Sequence, residues 1–217
     1  MISGGKILRA TKNLLLHAPP IPDEGILKKK QNIIRAATRL FAEQGLEGTT
    51  TLQIAKEAGV TEPLIYYHFK GKEDLFNHII DTSFKTYFSG LEALEKRPGT
   101  PFQRIEALLD FHFRFVREFP DETYIAVSVC PTKLREPDHI CAINTRHQRD
   151  RLKAYLTDCL QKGIKRKEFN RIPVPETVNL LIGVINGLTR QRGLHLEEKE
   201  GMRDVTVEFC RRSLVRN

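Results

Sequence analysis

From Lys28 onward the apolar positions recur at three- and four-residue intervals, and the two-residue alternation of a β-strand is nearly absent. Ile33, Ile34, Ala37, Leu40 and Phe41 fall on one face of a first helix, which Gly45 is expected to end. Thr50 and Gln53 have capping-box spacing at the start of a second helix, which Gly59 closes after about two turns. A third short pattern begins after Thr61, its expected N-cap, with Pro63 in its first turn. Lys72 to about Glu95 reads as one long helix, with Leu75, Phe76, Ile79, Ser83, Tyr87, Leu91 and Leu94 in register, and Arg97-Pro98-Gly99 stops it. Thr100, Pro101 and Gln103 restart the chain as N-cap, first-turn proline and capping-box partner. In the helix that follows, to about Phe119, Gln103, Glu106, Asp110, Arg114 and Arg117 line one polar stripe and nearly everything else is apolar. So narrow a stripe predicts a central helix surrounded on several sides. A short helix from Asp121, a longer one from about Pro137 to Lys162, one introduced by Pro173 and Pro175 and running to about Arg192, and a last from about Glu198 to Val215 complete the chain. The predicted fold class is all-α, without internal repeats.

The second and third helices, joined by Gly59-Val60-Thr61, have the layout of a helix-turn-helix. Ala55 is small where two helices cross, Gly59 supplies a left-handed backbone, and Ile65 and Phe69 point back into a small core. Thr61, Glu62, Pro63, Leu64 and Tyr67 are then expected to face a DNA major groove, since such helices read bases with their N-terminal residues. Glu62 would accept from a cytosine amino group, and Pro63 or Leu64 would touch a thymine methyl. Tyr66 and His68 would donate to phosphates. Lys72 would form an anion site with the free N–H groups of the helix it opens, and Thr50 would donate to a phosphate across the groove. Tyr66 and Tyr67, being neighbours on a helix, cannot both face one small core.

Residues 28–76, including AATRLFAEQGLEGTT and GVT followed by LIYYHFKGKEDL, resemble the DNA-binding domain of the tetracycline-repressor (TetR/AcrR) family of bacterial regulators. The resemblance implies that Tyr66, His68 and Lys72 contact DNA while Phe69 lies in the core. It also implies an all-α C-terminal domain that dimerises and binds a small molecule. The expected organisation is a flexible basic arm over 1–27, a DNA-binding domain over 28–75 and a regulatory and dimerisation domain over 76–217. The arm contains Pro19-Pro20-Ile21-Pro22, and its cations could reach the DNA backbone or minor groove.

The net charge of +8 suits a polyanion, but it does not locate the site. Residues 1–75 carry 11 Lys and Arg against 8 Asp and Glu, so the excess is spread along the chain and the motif alone points to the interface. Cys130, Cys141, Cys159 and Cys210 show no Cys-x-x-Cys spacing, and the expectation is a reduced, cytoplasmic protein. The apolar run from Val178 to Leu188 is too short and too polar to span a membrane. No phosphate loop, nucleophile elbow or paired-carboxylate motif appears, so neither an enzyme nor a cofactor is expected. Asp138, His139, Cys141 and His147 do not match a recurrent zinc spacing, and no metal is expected.

In the C-terminal half, Gly183 and Gly187 lie four apart on one helix face, flanked by Asn179 and Arg190. Close helix approach there, with Met202, Val205, Phe209 and Leu214 on the last helix, predicts a homodimer joined by a four-helix interface. Packing within one subunit is the alternative use of these glycines. His112 sits on the apolar face with Ile105, Leu108, Leu109, Val116 and Phe119, either bonding an effector or serving as a satisfied core histidine. Phe115, Tyr124, Cys130, Asn144 and His147 are further candidates for contact with a hydrophobic or amphipathic ligand. The expected function is a homodimeric repressor released from double-stranded operator DNA by that small molecule. The alternative is a ligand-independent DNA-binding protein acting through protein partners.

Overall fold

The computed structural model describes residues 24–126, 136–193 and 201–216, with the side chains of 188–193 outside the described set. Helices α1 (Glu24–Gly48), α2 (Thr51–Ala58), α3 (Glu62–His68) and α4 (Lys72–Glu95) are followed by α5 (Pro101–Glu118) and α6 (Pro120–Tyr124). Helices α7 (Ile140–Lys165), α8 (Val174–Gly193) and α9 (Met202–Leu214) complete the described elements. Among the described residues the one strand-type pairing is an isolated bridge between Phe169 and Val215.

Local sequence accounts for most of these boundaries. Thr50 Oγ1 accepts from Gln53 N–H while Gln53 Oε1 accepts from Thr50 N–H, closing the capping box of α2. The same reciprocal bonds join Thr100 and Gln103 at α5. Gly59 takes φ 65° and ψ 37°, the left-handed turn that a side chain would resist. Gly45, at φ 74°, breaks the geometry of α1, although one further turn follows it. Helix α1 begins at Glu24, so residues 24–27 are not part of an arm. Nothing after Pro22 breaks a helix, and Glu24 places a negative charge in the first turn. The rest of the expected arm lies outside the described residues.

The side chains form two cores that divide within α4. Ile33, Phe41, Ile54, Ile65, Phe69, Leu75 and Phe76 build the N-terminal one, which continues along α4 as far as Phe84. It also takes in Ile125 and Cys141 from beyond α5, so the two halves are packed together. Tyr87, Leu91 and Leu94 belong to the second core, with Ile105, Leu108, Leu109, Leu156, Leu160 and Val178. Helix α4 is thus a rigid element shared by both. Helix α5 packs against α4, α6, α7, α8 and α9, the central position expected of it.

Three long-range features were not visible in the pattern. Part of the polar stripe of α5 is a docking strip: Arg203 Nε lies 2.7 Å from Asp110 Oδ1, and Arg203 Nη2 lies 3.4 Å from Glu106 Oε1. Leu214, expected at a dimer face, is buried in the second core with Val207 and Cys210, and Met202 is half-buried. The expectation of four free thiols also fails: Cys159 and Cys210 are free and buried, whereas Cys141 is disulfide-bonded. Sequence spacing carries no information about which side chains meet in space.

Gly163 packs against the buried Phe169 ring, and an added methyl there would fall inside the van der Waals envelope of the ring carbons. Gly163→Ala is therefore expected to destabilise the protein by about 1–3 kcal/mol through overpacking, read as a lower urea midpoint at unchanged m-value.

Candidate nucleic-acid interface

Helix α3 is held as a rigid presenter. Ile65 is fully buried beneath it, and Phe69, buried directly after it, donates its N–H to Ile65 O at 2.8 Å. The outward face carries Thr61, Pro63, Tyr66 and Tyr67, with the two tyrosines 55% and 72% exposed. Neither ring is taken up by the core that holds Ile65 and Phe69. Thr61 stands at the N-cap but makes no side-chain cap bond, which corrects the capping role expected of it and leaves its hydroxyl free.

Several other predicted contacts are engaged inside the motif. Glu62 Oε1 accepts from Thr51 Oγ1 at 2.6 Å, so the carboxylate braces α2 against α3 before it can meet a base. Leu64 is half-buried against the N-terminal core instead of standing clear of it. The Thr50 hydroxyl is engaged by Gln53 in the capping box. His68 Nε2 is buried without a partner, and burial, followed by the nearby Lys30 charge, lowers the pKa of the ring. One ring nitrogen of His68 is thus turned away from the surface. Lys72 Nζ donates to Leu46 O at 2.9 Å and lies 3.8 Å from Glu47 Oε2, tying α4 to the end of α1. The first turn of α4 also holds Glu73 and Asp74, and Asp74 Oδ2 accepts from Lys70 N–H at 2.9 Å.

Two residues of this surface were missed by the sequence reading. Leu52 is 65% exposed on α2, and Lys70 is exposed in the turn after α3 with no ion pair to its ammonium among the described residues. Lys70 was legible as one of the lysines that follow the aromatic cluster. The choice between it and Lys72 depended on the distant carbonyl of Leu46.

On the C-terminal side, Asn179, Gly183 and Gly187 are exposed along one face of α8. A Cβ at Gly183 or Gly187 would meet nothing within 4 Å, so neither glycine serves packing within the chain. Leu180, Val205 and Phe209 are 61%, 66% and 61% exposed. The Arg190 side chain lies outside the described residues.

Among the ligand candidates, His112 is buried and Asn144 is close to fully so, and His112 Nδ1 and Asn144 Nδ2 lack hydrogen-bond partners. His112 is therefore a core residue but not a satisfied one. Phe115 is half-buried, 5.3 Å from the Tyr87 ring, and Tyr124 is half-buried. His147 is exposed, 4.4 Å from the Phe88 ring, and Cys130 lies outside the described residues.

Burial holds the His112 imidazole at about 4, against 6.5 for a free histidine. The native ring stays neutral while the unfolded chain takes up a proton below pH 6.5, so this residue's stabilisation is complete above 6.5 and is lost as pH falls toward 4. Between pH 7.5 and 5 the loss is expected to be about 2 kcal/mol. Urea titrations at the two pH values should show it, and His112→Leu should remove most of the difference.

A helix-turn-helix with exposed tyrosines on its second helix, joined through a shared long helix to an all-α body, has the architecture of the helix-turn-helix DNA-binding class. Residues 33–79 match the family model of bacterial regulatory proteins of the tetR family. The HTH-type transcriptional regulator AcrR of Shigella flexneri is 42% identical over 81 residues, covering 37% of this chain and 38% of that protein. The biofilm operon icaADBC HTH-type negative transcriptional regulator IcaR of Staphylococcus epidermidis is 28% identical over 131 residues, covering 58% and 69%. The fold is that of the ketosteroid transcriptional regulator KstR2 of Mycobacterium tuberculosis, with a TM-score of 0.72 at 17% identity over 92% of this chain and 99% of that one. The family match covers residues 33–79, less than a quarter of the chain, and the chain spans 38% of the length of the AcrR protein. Among the described residues, no helix is long and apolar enough to cross a membrane.

Proposed function

We propose that the protein is a homodimeric repressor that binds a palindromic operator through α3 and is released by a small hydrophobic or amphipathic ligand. The observation that carries the DNA reading is the outward face of α3, where Tyr66 and Tyr67 stand free of a core that already holds Ile65 and Phe69. Thr61, Pro63 and Tyr67 would meet base edges, while Tyr66 and Lys70 would meet phosphates. Glu62 and Lys72 fix the angles between the helices that present these groups.

The open glycines of α8 and the exposed Leu180, Val205 and Phe209 support dimerisation through α8 and α9 of two chains. A two-fold axis there would present two α3 helices to half-sites one helical turn, about 34–36 Å, apart. The ligand reading rests on His112 and Asn144, whose unpartnered buried atoms would be satisfied by an effector carrying polar groups on an apolar body. Release then requires that the effector bind more tightly to the state with a different α3 separation. Selection of bound sequences from a random DNA pool tests the proposal as a whole.

A further inference from the structure

Helix α4 runs for 24 residues, about 35 Å along its axis, from the DNA-binding motif to the α4–α5 connection. At that far end, between the connection and the C-terminal turns of α7, lies a hollow of about 330 Å³. Four cations line it, Arg97, Arg104, Lys162 and Arg166, against the two carboxylates of Glu95 and Asp158.

Both carboxylates are already committed. Glu95 receives Arg151 through two bonds, at 3.2 and 2.7 Å. Asp158 is shared by Arg104 at 2.6 Å and Lys162 at 2.9 Å, two cations on one anion. Among the described residues Arg166 pairs only with Glu168, at 3.8 Å. The Arg97 guanidinium has no ion pair among the described residues. Arg104 is fixed in place: it lies over the Tyr155 ring at 4.8 Å, and Tyr155 Oη donates to its carbonyl. Its Nε is buried without a partner. The hollow therefore concentrates positive charge around a pre-set guanidinium, with two arginine forks left to close on an incoming group. Planar forks of this kind suit phosphate and carboxylate oxygens.

We propose that this hollow binds a small oligoanion bearing phosphate or carboxylate groups. The site is separate from the DNA face, which the length of α4 places out of reach, and from His112 in the core. Its occupant would tie the α4–α5 connection to α7, both of which pack on the helix that leads to the motif.

The test is calorimetric titration of the full-length protein with sodium pyrophosphate and, separately, sodium citrate, at constant ionic strength. Saturable binding of one anion per chain is expected with at least one of them. The double variant Arg97→Gln/Arg166→Gln should weaken it by about tenfold or more, since these exposed residues hold no part of the core. Binding of pyrophosphate alone assigns a phosphate ligand, binding of citrate alone a carboxylate ligand, and binding of both the shared chemistry. No binding of either anion, or equal binding by the variant, overturns the proposal. Lys162→Gln, which leaves Arg104 on Asp158, provides a second variant for the same comparison. Operator binding measured on the same samples keeps the two claims apart: the variants should retain wild-type DNA affinity, and loss of the repressor reading would leave the anion isotherm unaltered.

Discussion

Replacing Val205 and Phe209 together by aspartate is expected to leave a folded monomer that no longer retains operator DNA. Both side chains are roughly two-thirds exposed in the single chain, so their removal costs the core little. In a two-fold dimer each is used twice, and burial of each is worth about 1.5–3 kcal/mol. The substituted carboxylates would in addition have to be desolvated at the centre of the interface. Loss of the dimer separates the two half-site contacts, and operator affinity should fall by about 100-fold or more. Sedimentation equilibrium would report the monomer and a gel-shift titration the lost affinity. A variant that remains dimeric would show that α8 and α9 are not the interface.

Tyr66→Ala is the second substitution with a large expected effect, and here the dimer should be untouched. Among the described residues the Tyr66 hydroxyl has one weak neighbour, Thr51 Oγ1 at 3.4 Å, so thermal stability should change little. A hydrogen bond to a charged phosphate is worth about 1.5–3 kcal/mol, which corresponds to a loss of about 10- to 100-fold in operator affinity. Because tyrosine is neutral, the dependence of log K on log salt should keep its slope. Lys70→Ala on the same surface should weaken binding less and flatten that slope by about one. Lys72→Ala would act differently from both. Its ammonium is bonded to Leu46 O, so the variant should lose stability as well as affinity. Unchanged affinity in Tyr66→Ala at fixed salt would remove Tyr66 from the interface.

What could be read in the sequence was local. Thr50 with Gln53, Gly59, Pro63 and the stop at Arg97-Pro98-Gly99 act over a few residues, and the structure shows each at the position expected. The apolar spacing likewise separated Ile65 and Phe69, which are buried, from Tyr66 and Tyr67, which are not. Thr61, which makes no cap bond, is a local departure, but most of the differences involve partners distant in the chain or across the motif. Glu62 was assigned to a base, but Thr51 holds it from the preceding helix. Leu214 has the spacing of an interface residue, yet the second core takes it in. Glu106 and Asp110 were legible as part of a polar stripe, but their partner Arg203, nearly a hundred residues later in the chain, was not. At His68 the residue type was legible, whereas the burial of one of its ring nitrogens was not.

The central claim, that two copies of α3 read a symmetric operator, is tested most directly by selecting bound sequences from a random pool of double-stranded DNA with the full-length protein. The account predicts enrichment of a palindrome whose half-sites are centred about one helical turn apart, roughly 10 base pairs, or a multiple of it. Failure to enrich any sequence, or enrichment of a single half-site without symmetry, would contradict it.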